Sequence, residues 1–66
     1  MKISVITISY NSAATIEQTI LSVLKQNHKD MEYIIVDGGS TDATLNIIEK
    51  YRSKISMLVV EKDNGL

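Results

Sequence analysis

Tyr33-Ile34-Ile35-Val36-Asp37-Gly38-Gly39-Ser40-Thr41-Asp42-Ala43-Thr44 is an apolar run that stops at an acid and passes two glycines. It then meets hydroxyl and carboxylate residues of the kind that start helices. The stretch reads as a buried strand, a tight turn and a helix N-terminus, with Asp37 at the strand's carboxyl tip. In open parallel sheets ligands bind just beyond such tips, beside the point where strand order reverses. An ionised carboxylate only accepts hydrogen bonds, so Asp37 suits a ribose hydroxyl or a base N–H. Asp is also a preferred N-cap, and from this turn alone capping of the next helix is an equal reading.

Upstream, Ile3 to Ser9 is rich in β-branched residues and reads as a first strand. Alternation puts Ile3 and Val5 on one face and Ile6 and Ile8 on the other. Tyr10-Asn11-Ser12 is a turn, and Asn11 or Ser12 is a good N-cap. From Ala13 to about Gln26 the spacing is helical, with Ile16, Ile20, Val23 and Leu24 in one stripe. Asn27 suits a left-handed helix end, and His28-Lys29-Asp30 form the return loop.

Downstream, Asp42 to about Tyr51 is a second helix with Ala43, Ile47, Ile48 and Tyr51 inward and Ser40 or Thr41 as its cap. Arg52-Ser53-Lys54 connects it to a third strand, Ile55 to Val60, and Glu61 to Leu66 is a polar tip. The order β-α-β-α-β calls for parallel strands joined by right-handed crossovers. Two such crossovers in one direction give sheet order 3-2-1 with both helices on one face. The strands are nevertheless apolar on both faces, as in sheets covered on both sides. The bare face is therefore expected to be covered by further chain or by a second copy in a homo-oligomer.

At 66 residues the chain makes at most one small domain, and it has no cysteine to staple it. Seven basic and eight acidic residues nearly cancel, without a basic run, so nucleic acid is not an expected partner. His28 is the single histidine and reads as a solvated loop residue rather than a metal ligand. The start is neither a signal peptide nor a membrane span, which leaves the cytoplasm as the expected compartment.

All three strand tips meet at one edge, where a nucleotide-sized cleft is expected. The first β-α turn, Tyr10 to Thr15, holds no glycine and no P-loop lysine follows either strand, which disfavours a dehydrogenase or an NTPase. Tyr10 offers a planar face for a base, or simply covers the end of its strand.

Ser4-Val5-Ile6-Thr7-Ile8-Ser9-Tyr10-Asn11, Ile20-Leu21-Ser22-Val23-Leu24-Lys25-Gln26 and Tyr33 to Thr44 resemble the opening of family 2 glycosyltransferases of the GT-A fold. Val36 to Asp42 is the most specific part, and Glu61-Lys62-Asp63-Asn64-Gly65-Leu66 resembles the start of the next motif. The resemblance implies an α/β fold, the Rossmann-like β-α-β-α-β half of a nucleotide-diphospho-sugar transferase domain. Residues 1–66 would be its N-terminal nucleotide-binding part, an incomplete domain. It further implies transfer of a sugar from a nucleotide-diphosphate donor to a saccharide or lipid-linked acceptor, in cell-surface polysaccharide biosynthesis. A divalent metal, Mg²⁺ or Mn²⁺, would hold the diphosphate in the complete domain.

By the same resemblance Ser9, Tyr10, Asn11, Asp37, Gly38, Gly39 and Ser40 approach the nucleoside, and Asp63 and Gly65 lie near it. Many members carry a second acid where this chain has Gly38, and proline or threonine where it has Ile8, so nucleotide preference is expected to differ. The family's Asp-X-Asp metal motif and catalytic base belong to later strands, so no catalytic residue and no metal ligand is assigned here. The alternative is a non-catalytic nucleotide-binding or interaction module on the same half-fold. A phosphoacceptor receiver would want an acid pair where this chain has Ser9-Tyr10-Asn11. An Asp-X-Asp in the sequence after Leu66 would decide between enzyme and module.

Overall fold

A computed structural model describes residues 2–26 and 30–62. The elements are β1 (Ile3–Ser9), α1 (Ile16–Gln26), β2 (Met31–Asp37), α2 (Thr44–Lys50), a 3-10 turn (Arg52–Lys54) and β3 (Met57–Val60). The three strands are parallel in the order β1-β2-β3, which is the expected 3-2-1 read from the other edge. Ser9 pairs with Asp37 and Asp37 with Val60, so the three strands finish level at one edge.

Ile16 and Ile20 of α1, Tyr33 and Ile35 of β2, Ile48 of α2 and Ile55 form one buried cluster. Val5, Val23, Leu24, Leu45, Ile47, Tyr51 and Leu58 pack around it. Both helices therefore lie on one face of the sheet, and α1 has the expected stripe. Each fully buried isoleucine contributes about 1.5–3 kcal/mol relative to exposure. This packing is what holds α2, since seven residues are too few for a helix to persist alone in water. Tyr33 is buried with its hydroxyl 3.0 Å from Thr7 Oγ1, so its one polar atom is paired.

The opposite face is bare. Ile6 is 60% and Ile8 81% exposed, because alternation sends them away from the face on which Val5, Thr7 and Ser9 lie.

Element starts differ from the sequence reading, each for a local reason. Regular α1 begins at Ile16 rather than Ala13, because Thr15 and Ile16 both donate to Ser12 O and close a turn first. Helix α2 begins at Thr44 rather than Asp42, because the Asp42 carboxylate accepts the Thr44 N–H at 2.9 Å. Neither Ser40 nor Thr41 caps it: the Ser40 hydroxyl is committed to Asp37. Ala43 is exposed, and Thr44 and Leu45 turn inward instead. Regular β3 begins at Met57 rather than Ile55, since Ile55 enters the core and Ser56 pairs with Tyr33. There Ser56 N donates to Tyr33 O at 2.8 Å and Ser56 Oγ accepts from Tyr33 N at 3.0 Å. Asn27, His28 and Lys29 lie outside the described residues. Among the described residues no helix is long and apolar enough to cross a membrane.

Candidate functional site

The level strand ends open a cavity of about 620 Å³, within the usual range for small-molecule sites. Ile8, Ser9, Tyr10, Val36, Asp37 and Gly38 line its β1–β2 side; Gly39, Thr41, Glu61 and Lys62 line the rest. The apolar Ile8 and Val36 come from the strands, whose last residues Ser9 and Asp37 add polar lining together with the loops beyond them.

Asp37 is fully buried and its carboxylate is used by its own chain. Oδ1 accepts the Ser9 hydroxyl at 2.8 Å and the Ser40 hydroxyl at 2.6 Å. Oδ2 accepts Gly39 N at 2.9 Å and Ser40 N at 2.7 Å. A carboxylate has about four acceptor sites, so all are occupied. Burial alone would raise the Asp37 carboxyl, but the Ser40 hydroxyl and N–H, the Ser9 hydroxyl and the Gly39 N–H outweigh it. The group is held below the ordinary carboxylate range. Asp37 does not cap α2; it folds the loop after β2 around itself.

Two glycines follow, with different demands. Gly39 has φ +89°, and a Cβ there would lie 3.0 Å from Lys62 Cα, so the chain leaving β3 crosses directly over it. Glu61 N donating to Asp37 O at 2.8 Å fixes that crossing. At Gly38 an added Cβ would meet Tyr10 Cδ1 at 3.4 Å, an ordinary contact. The backbone at Gly38 thus packs beside the Tyr10 ring, and Tyr10 is 60% exposed.

The turn after β1 and the loop after β2 are fastened together. Asn11, with the left-handed φ of +46°, donates its N–H to Ser40 Oγ at 2.8 Å and accepts Thr41 N at 2.8 Å. Ser12 N donates to Thr44 Oγ1 at 2.7 Å and Ala13 N to Asp42 Oδ2 at 3.2 Å. Thr44 in turn donates its hydroxyl to Asp42 Oδ1. Ser9, Tyr10, Asn11, Asp37, Gly38, Gly39 and Ser40 thus come together as one cluster, most of them on the cavity wall. Asp63 and Gly65 lie outside the described residues. Thr41, Asp42 and Thr44 are not among the nucleotide-site residues read from sequence; the Asp42-X-Thr44 spacing, suited to a local side-chain turn, is the signal that points to the last two.

The described residues do not make a divalent-metal site. Asp37 and Glu61 are the acids on the cavity wall, and the Asp37 oxygens are spent. Among the described residues no group of three or more His, Cys, Asp or Glu is placed to hold an ion.

The model of glycosyl transferase family 2 matches residues 4–66, and the chain belongs to that family. TuaG of Bacillus subtilis, named for teichuronic acid biosynthesis, is 44% identical over 96% of this chain and 26% of its own. The cholesterol galactosyltransferase of Borreliella burgdorferi is 42% identical over 98% of this chain and 19% of its own. The crystal structure of Staphylococcus aureus TarS superposes with a TM-score of 0.77 at 42% identity, covering 97% of this chain and 12% of that one. TarS is named a poly(ribitol-phosphate) beta-N-acetylglucosaminyltransferase. The chain spans about a quarter or less of the length of these relatives.

Proposed function

We propose that the chain forms the nucleoside side of the donor site in a glycosyltransferase that takes a sugar from a nucleotide diphosphate. The observation that carries the reading is the exposed Tyr10 ring, packed beside Gly38 on the wall of a cavity built from three strand tips. A base stacks on the ring, and the apolar Ile8 and Val36 flank it. Asp37 is the acceptor at the floor: the Ser9 and Ser40 hydroxyls are rotors, and one turning away frees an Oδ1 site for a base N–H. Lys62, on the cavity wall, is the cation offered to the diphosphate.

In the complete domain a divalent metal, Mg²⁺ or Mn²⁺, would supply charge neutralisation to the diphosphate, and no group among the described residues would hold it. The acceptor is a saccharide or lipid-linked glycan on the cytoplasmic side, in line with relatives named for teichuronic acid and poly(ribitol-phosphate). The test is calorimetry with UDP, GDP, CDP and ADP. One is expected to bind, and Tyr10→Ala to weaken it roughly tenfold or more, since stacking one base on an aromatic ring contributes about 1–3 kcal/mol. Affinity unchanged in Tyr10→Ala would overturn the stacked arrangement.

A further inference from the structure

Three successive backbone donors of the β1–α1 turn leave it for the neighbouring loop. Asn11 N goes to Ser40 Oγ, Ser12 N to Thr44 Oγ1 and Ala13 N to Asp42 Oδ2. The last two acceptors are bonded to each other, since Asp42 Oδ1 takes both the N–H and the hydroxyl of Thr44. Neither Asp42 nor Thr44 lines the cavity. Thr44 is fully buried although polar, and the one polar atom of its side chain, Oγ1, both accepts from Ser12 N and donates to Asp42 in this arrangement. The turn they hold contains Asn11 in a left-handed conformation, uncommon outside glycine though better tolerated by Asn than by most residues. Tyr10 stands directly before that residue, so the direction of its ring depends on the turn staying as it is.

We infer that Asp42 and Thr44 are positioning residues of the donor site, pinning Ser12 and Ala13 so that the Tyr10 ring meets the base. The inference rests on the proposed stacking of a nucleoside at Tyr10. It assigns the loop after β2 a second task besides enclosing Asp37: it holds the first turn of the chain in register with the cavity.

The experiment is a double-mutant cycle read by calorimetry with whichever of UDP, GDP, CDP and ADP binds the wild-type chain most tightly. Thr44→Val keeps the shape but leaves the Ser12 N–H unpaired, and Thr44→Ser restores the hydroxyl. The dissociation constant is expected to rise about tenfold in Thr44→Val, as for a buried donor left without its acceptor, and to return to within about twofold in Thr44→Ser. In a Tyr10→Ala background Thr44→Val is expected to add nothing, because its effect passes through that ring. Should Thr44→Val not fold, Asp42→Asn at an exposed position carries the same cycle, since it sets an amide N–H₂ against one of the N–H groups that Asp42 accepts. Equal losses in the two backgrounds, or no loss in either variant, would overturn the assignment. Unchanged affinity in Tyr10→Ala alone would instead remove the stacking on which it rests.

Discussion

Asp37 is where charge, burial and loop geometry meet in a single side chain. Four donors converge on it, and its ionised form is favoured over the ordinary carboxylate value of 3.8. A carboxyl lowered by folding stabilises the native state above the unfolded value, and that contribution disappears as pH falls through the lowered one. Asp37→Asn presents an amide N–H₂ to the Gly39 and Ser40 N–H groups or to the two hydroxyls, leaving donors unpaired at about 1–3 kcal/mol. The variant is expected to melt below wild type at neutral pH. The gap should stay constant down to about pH 4 and close below it, because only the wild type loses its charge there. Melting temperatures measured from pH 7 to pH 2 test this, and a gap independent of pH over that range would contradict it. The position of Asp37 at a strand tip was legible in the sequence, because an apolar run ending at an acid before two glycines has few other readings. Its saturation was not legible: Ser9 lies 28 residues away, and only the parallel register brings it opposite.

At the scale of elements, α2 depends most on its neighbours. Seven residues make fewer than two full turns, and its fully buried apolar residue is Ile48, in the cluster shared with Ile16, Ile20 and Ile35. Ile48→Ala should cost about 2–5 kcal/mol through lost burial and the cavity left behind. Urea denaturation should show a lower midpoint with the slope retained, and a loss below about 0.5 kcal/mol would mean the cluster repacks freely. The Tyr51 hydroxyl donates to Glu17 at 2.5 Å and joins the two helices, a bond that raises the phenol above its ordinary value. The stripe of α1 was readable because regular spacing over eleven residues leaves one consistent face. The start of α2 was misread because two side chains near it, Ser40 and Asp42, form bonds that generic capping rules do not distinguish. Ser40 turns back to Asp37 while Asp42 turns forward to Thr44, and that choice shifts the inward residues from Ala43 to Thr44 and Leu45.

Across the whole molecule, one face of the sheet is packed by both helices and the other is open, although strands apolar on both faces call for cover on both. Ile6 and Ile8 are exposed beside the half-buried Ile34 and Val36, their register partners on β2. A contiguous apolar patch of this kind promotes association. The purified chain is expected to sediment with a concentration-dependent mass, and Ile6→Thr with Ile8→Thr to reduce that dependence; a monomer at every concentration would show the patch is inert. The joined turns have a different consequence, for anyone transplanting parts of this scaffold. Asn11, Ser12 and Ala13 carry donors whose acceptors sit on the other loop, and Gly39 is shaped to let the chain at Lys62 pass. Replacing the first loop with one from a relative, without its companion, strands up to three donors at about 1–3 kcal/mol each, against a total stability of only about 5–15 kcal/mol for a typical domain. Specificity at this edge is therefore exchangeable only as a cassette of both loops and the crossing strand end, so chimeras cut between β1 and β2 should fail where chimeras that keep the three together fold.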